Sequence, residues 1–173
     1  MQSTDPQVSL PNDYFSAANF DIDFPNTPEE IIECLSNIIE EINLRKENLN
    51  ALYHNIYLSF YAFQRAHLFK KISDYQMSDT ARMLDYILKN GPLVGIFTIM
   101  QIDKLDNLKR ILDQPLQNFT HRIALQMDEN ASQTIIGNYA ASKLFIMNRP
   151  SSKYRAYYYN NDRNILNKFK PYK

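Results

Sequence analysis

The chain has 173 residues, 45% of them apolar, which is enough for one domain with a substantial core. Lys plus Arg and Asp plus Glu stand at 19 each, so the chain as a whole has no field that recruits nucleic acid, although a local basic surface is still open to it. One cysteine, Cys34, excludes an intrachain disulfide framework, no apolar run approaches the roughly 20 residues of a membrane span, and the N-terminus has no basic-then-apolar leader, so the expectation is a cytoplasmic soluble protein.

Residues 1–26 hold Pro6, Pro11 and Pro25 among several Asn and Asp, with a scatter of Val8, Leu10, Tyr14, Phe15, Phe20, Ile22 and Phe24. The prolines interrupt any long element, and the aromatics are costly to leave in water, so this segment reads as an irregular arm lying on the domain. A helix starts at Thr27, which can cap the amides, with Pro28 in the first helical position and Glu30 completing a capping box. Ile31, Leu35, Ile38 and Ile42 recur at helical spacing and carry it to about Glu47.

Residues 55–63, rich in aromatics and without charge, read as a strand, with Gln64, Arg65, Ala66 and His67 at its carboxyl end. Ser78 starts a helix with Met83, Leu84, Ile87 and Leu88 on its apolar face. Gly91, able to take the left-handed conformation, and Pro92, unable to continue a helix, stop it. Residues 94–100 carry no charge and are rich in β-branched side chains, the pattern of a strand buried on both faces. Residues 104–112 form the next helix, and Pro115 ends it. Residues 121–127 form a third strand, alternating Ile123, Leu125 and Met127 against Arg122, Ala124 and Gln126, and residues 131–136 a short helix stopped by Gly137. Residues 144–147 and 155–159 are the last strands, joined as a hairpin by the turn-forming run 148–152. Strands and helices in alternation predict a three-layer α/β domain over residues 27–173, with a mostly parallel sheet and an antiparallel hairpin near its C-terminal end.

In such a sheet the 94–100 strand delivers Gln101 and Asp103 to its carboxyl end, the edge where open α/β sheets place ligands. Glycine is scarce: Gly91, Gly95 and Gly137 are all there are, and none precedes a lysine. Neither a G-x-x-x-x-G-K-S/T phosphate loop nor a G-x-G-x-x-G dinucleotide turn exists, so this chain by itself is not expected to bind ATP in the P-loop manner. His54, His67, His121 and Cys34 show no metal-ligand spacing, and no nucleophilic triad stands out.

Several runs, taken in order, carry a family likeness: Gly91-Pro92-Leu93-Val94-Gly95-Ile96-Phe97-Thr98-Ile99, Asn107-Leu108, Phe119-Thr120-His121-Arg122-Ile123-Ala124-Leu125-Gln126-Met127, Ser132, Ala141-Ser142-Lys143-Leu144 and Lys168-Phe169-Lys170-Pro171-Tyr172. By order and spacing the chain resembles, over residues 27–172, the back half of FtsK/SpoIIIE-type motor domains, the RecA-like, hexameric, ATP-driven DNA translocases of the HerA/FtsK superfamily. The resemblance implies a partial RecA-like P-loop NTPase-type domain that lacks the P-loop strand. For the parent protein it implies ATP and Mg as cofactors, with none held by this chain alone. It further implies the upstream half of the same motor domain as a partner, a ring-shaped homo-oligomer and DNA as the polymer moved.

The chain departs from that family where the magnesium-holding acidic pair would stand. Phe60, Tyr61 and Ala62 occupy the place, and no Asp or Glu occurs between Glu47 and Asp74. Without a carboxylate at a strand end nothing holds magnesium or orients an attacking water. Tyr61 and Gln64 thus mark a degenerate Walker-B region. Phe97 replaces a His often found after Gly-Ile in the family.

By the same resemblance Gln101 matches a polar sensor of the terminal phosphate, and Arg122 an arginine that reaches a neighbouring subunit's nucleotide. Read without it, Gln101 is a solvated loop residue and Arg122 a strand-end surface arginine. The tail interleaves Lys153, Arg155, Lys168 and Lys170 with Tyr154, Tyr157, Tyr158, Tyr159 and Phe169, a pattern that serves nucleic acid by phosphate contact and base stacking. Tyrosines packed on the sheet with lysines left wet explain the same pattern. Two functions follow: a C-terminal portion of an FtsK/SpoIIIE-like motor, or a non-catalytic α/β interaction or scaffold module derived from one.

Overall fold

The computed structural model describes residues 25, 27–61, 63, 67–73, 76–105, 116–144 and 155–170. Helix α1 (Pro28–Glu47) opens with the expected capping box: the Glu30 amide donates to the Thr27 hydroxyl at 3.2 Å and the Thr27 amide to the Glu30 carboxylate at 3.1 Å. Strand β1 (Ile56–Phe60), helix α2 (Asp79–Asn90) and strand β2 (Ile96–Met100) follow as one βαβ unit. β1 and β2 pair in parallel with Ile56 opposite Ile96 and Phe60 opposite Met100.

Between α2 and β2 the structure departs from the expected helix stop. Gly91 stays right-handed and begins a 3-10 turn, Gly91–Val94, and the left-handed residue is Gly95, at φ 79°. Pro92 is tolerated because it sits in the first turn, where no amide is required. Glycine is required at 91 for another reason: a Cβ there would stand 2.6 Å from the Ile96 carbonyl oxygen.

The parallel pair is covered on one side. Ile56, Leu58 and Phe60 of β1 and Ile96 and Met100 of β2 turn toward a core built on Leu35, Ile42, Leu84 and Ile87 of the two helices. Phe63 and Phe69 close its end against Phe60, with ring centroids 5.2–5.8 Å apart. The alternate residues Tyr57, Phe97 and Ile99 face outward and are exposed. The expectation of a strand buried on both faces is therefore corrected: β2 alternates, because among the described residues helices pack on only one face of the pair.

The second sheet is antiparallel, in the order β3–β4–β5: β3 (His121–Ala124), β4 (Ala156–Asn160) and β5 (Ile165–Phe169). Helix α3 (Glu129–Ile136) is capped by Asp128 and ended by left-handed Gly137, and it packs Ile136 on Ala124 beneath this sheet. Among the described residues the strands form two sheets rather than one mostly parallel sheet, since β3 finds its partner in β4 rather than in β2. The expected hairpin across 148–152 lies outside the described residues, and the described one is a second hairpin. It joins β4 to β5 across residues 161–164, where Asn164 takes φ 50° and the Asn160 side chain accepts from the Arg163 amide at 2.9 Å. The strand expected over 144–147 lies outside the described residues from 145 onward, and Leu144 itself is buried after a 3-10 turn, Ala141–Lys143. The arm and the body of the 104–112 helix also lie outside the described residues.

Candidate functional site at the edge and outer face of the parallel pair

β1 and β2 end level with each other, so the residues that follow them come side by side. The Gln101 amide donates to the Phe60 carbonyl at 2.9 Å, and the Phe63 amide donates to the Gln101 carbonyl at 3.1 Å. Tyr61 is 81% exposed beside it, and Gln101 is exposed as well. The structure therefore brings together two of the sequence-derived positions, Tyr61 and Gln101, at the carboxyl edge. Gln64 lies outside the described residues.

Among the described residues the side chains that follow the two strands include the Tyr61 phenol, the Gln101 carboxamide and the exposed Asp103 carboxylate, and the amides of Gln101 and Phe63 donate to main-chain carbonyls. Among the described residues no three His, Cys, Asp or Glu side chains group as metal ligands.

Arg122 is built into the second sheet. Its Nε donates to the Phe119 carbonyl at 2.9 Å, Nη1 to Ile135 at 3.0 Å and Nη2 to Leu116 at 2.9 Å, and the guanidinium lies over the Tyr159 ring at 5.7 Å. Burial pulls its pKa below the ordinary arginine value, partly offset by charge interaction with Tyr159. Three carbonyls from two segments converge on one cation, which ties the loop before β3 and the end of α3 to the strand.

Lys168 shares that sheet face, its Nζ 5.6 Å from the centre of the Tyr157 ring across the β4–β5 pair. Tyr157 and Tyr159 pack on the core below. Lys170, one residue beyond β5, is exposed. The arrangement is the packed one: tyrosines against the sheet and lysines at its wet margin.

A cleft of about 300 Å³ lies along β2, lined by Phe97 and Thr98 of that strand, Leu88 and Pro92 before it, and Asn118 to His121 with Asp162 opposite. Within it the Thr120 hydroxyl donates to Asp162 at 3.3 Å, and His121 Nδ1 and the Tyr158 hydroxyl lie 2.6 Å apart. Its residues span positions 88 to 162, and no local pattern in the sequence marks them as neighbours.

On the outer face of the pair, Tyr57 stands opposite Phe97 in the register, their rings stacked at 5.7 Å and 29°, with Ile99 two residues further along β2. Tyr57 is 59%, Phe97 37% and Ile99 57% exposed. Alternation in both strands was the available signal, and it was hidden because Ile96, Phe97 and Ile99 are apolar on either face.

Fold and site together define a mixed α/β chain, with a parallel βαβ unit beside an antiparallel three-stranded sheet, in which Tyr57, Phe97 and Ile99 are exposed on the outer face of the parallel pair. No helix of the described residues is long and apolar enough to cross a membrane. No protein-family model, no curated protein and no solved structure matches this chain.

Proposed function

We propose that the chain is a non-catalytic α/β interaction module that works by packing the outer face of its βαβ unit against another polypeptide surface. The observation that carries this reading is the exposed triplet Tyr57, Phe97 and Ile99 on a parallel pair. Parallel strands occur almost only with both faces covered, and full burial of a large apolar side chain contributes about 1.5–3 kcal/mol. Covering the three therefore gives a driving force suited to association. The internally engaged Arg122 points the same way.

One observation favours a second reading, the C-terminal portion of an FtsK/SpoIIIE-like translocase motor: Tyr61 and Gln101 emerge together at the carboxyl edge of parallel strands. In that reading the chain is part of a three-layer RecA-like domain. The upstream half of the domain covers the outer face and brings ATP and Mg, Gln101 senses the phosphate, Lys168 and Lys170 approach DNA, and the parent forms a ring. Both readings place the protein in the cytoplasm, in keeping with its single cysteine.

Neither reading expects turnover by the purified chain alone; calorimetry with Mg-ATP and phosphate release with and without duplex DNA separate the two once the chain is joined to the upstream half of the domain that the motor reading requires. The interaction reading expects no turnover and no heat of binding. DNA-stimulated turnover would remove it in favour of the motor.

A further inference from the structure

We infer that the cleft along β2 is a binding site for a small organic cation, an arylalkyl or alkyl ammonium whose charge meets Asp162 and whose apolar body lies against Phe97 and Phe119. The association reading above makes no use of this carboxylate, so the two stand apart.

The hairpin tip that carries Asp162 is held in place by the chain around it. β3 and β4 pair with His121 opposite Asn160, and just beyond them the Asn161 amide donates to the Thr120 carbonyl at 2.9 Å. The Asn160 side chain accepts from the Arg163 amide at 2.9 Å, which closes the turn. Across that turn the Thr120 hydroxyl donates to the Asp162 carboxylate at 3.3 Å. The carboxylate therefore has a fixed seat in the lining, and it is exposed, so a ligand can reach it. Phe97 and Thr98 of β2 form the facing wall, with Leu88 and Pro92 beside them.

The lining sets the sign of the ligand. Neither lysine nor arginine lines the cleft, and among the described residues Asp162 stands in no ion pair. A carboxylate with no cation beside it attracts a positive ligand and repels an anion. Phe97 and Phe119 add two aromatic rings, whose π faces attract an ammonium and whose apolar surface covers its carbon skeleton. The Thr120 hydroxyl gives its proton to Asp162, which leaves its oxygen as an acceptor, and the Asn118 carbonyl oxygen is another. An ammonium brings several N–H donors and no acceptor, which is the complement of such a set. Among the described residues no three His, Cys, Asp or Glu side chains gather, so the class is an organic cation rather than a divalent metal ion.

Size narrows the class. At about 300 Å³ the cleft stands at the lower end of the roughly 300–1,000 Å³ range of small-molecule sites, which suits a ligand the size of phenethylammonium.

Amide-resolved NMR titration of the full chain with phenethylammonium tests this, with 2-phenylethanol and 3-phenylpropionate as neutral and anionic counterparts. At about pH 7.5 an ordinary alkylammonium is charged and an ordinary imidazole mostly neutral. The ammonium is expected to give saturable shifts at Thr98, Thr120, His121 and Asp162. Its dissociation constant is expected on the order of 1 mM, since each contact is individually weak. The alcohol and the carboxylate are expected to bind about tenfold more weakly or worse, the worth of one lost charge contact. Asp162→Asn, whose carboxamide can still accept from Thr120, is expected to weaken the ammonium by a similar factor and leave the alcohol unchanged. Glu33→Gln, on the exposed side of α1, is expected to change neither. Phe97→Leu keeps apolar bulk without the ring and is expected to weaken the ammonium several-fold. Equal affinity for the three probes would overturn the inference. So would parent-like binding by folded Asp162→Asn or Phe97→Leu protein, or the absence of saturable shifts with phenethylammonium. Phosphate release and this titration read different properties, so the two readings can fail separately.

Discussion

Arg45, near the end of α1, donates from Nη1 to the carbonyl of Val94 at 3.1 Å while its Nε holds Glu41 at 2.7 Å and its guanidinium covers Tyr53 at 4.8 Å. Only 4% of this arginine is exposed, so one cation joins helix, loop and strand start inside the core. Arg45→Met keeps the stem and leaves the Val94 carbonyl without its donor. A loss of about 1–3 kcal/mol is expected from urea unfolding. Glu41→Gln, at a partly exposed i,i+4 pair, is expected to cost no more than about 1 kcal/mol.

Arg122→Lys separates a structural from a nucleotide-facing arginine. A lysine cannot reproduce the fork that meets the carbonyls of Leu116, Phe119 and Ile135. Thermal or urea unfolding is expected to show destabilisation of about 1–3 kcal/mol. Gln101→Ala, at an exposed side chain, is expected to stay within about 0.5 kcal/mol of the parent.

Ser132 is fully buried. Its hydroxyl donates to the Asn138 carbonyl at 2.6 Å and accepts from the Ala141 amide at 3.0 Å, which folds the loop after α3 back onto the helix. Ser132→Ala removes both bonds at once, and buried main-chain groups left without partners cost about 1–3 kcal/mol each. The expected result is a lowered unfolding midpoint, with the amides of residues 138–141 losing protection from hydrogen exchange.

Gly91→Ala places a methyl group 2.6 Å from the Ile96 carbonyl oxygen, a main-chain atom that cannot rotate away. Overpacking of this kind costs about 1–3 kcal/mol, read from chemical unfolding. The backbone at this position is ordinary right-handed helix, so the whole of the effect is steric.

What local chemistry encodes was legible without the structure. The Thr27 capping box, the Ser78 cap and the Gly137 terminator act within three or four residues, and the stripes of α1 and α2 depend only on helical spacing. The meeting of Tyr61 and Gln101 at one edge also followed, because two strands joined by a helix run parallel and end together.

What joins distant residues was decided by the tertiary structure. An apolar run such as 94–100 reads the same whether one face or two is covered, so only packing shows that Tyr57, Phe97 and Ile99 turn outward. The partition into two sheets rests on β3 choosing β4, 32 or more residues later, over β2. That choice is made by pairing and burial across the whole chain, as is the ring of carbonyls around Arg122. Caps and stripes are written in neighbouring residues, whereas sheet partnership and exposed faces depend on which segments meet, and no local stretch of sequence carries that.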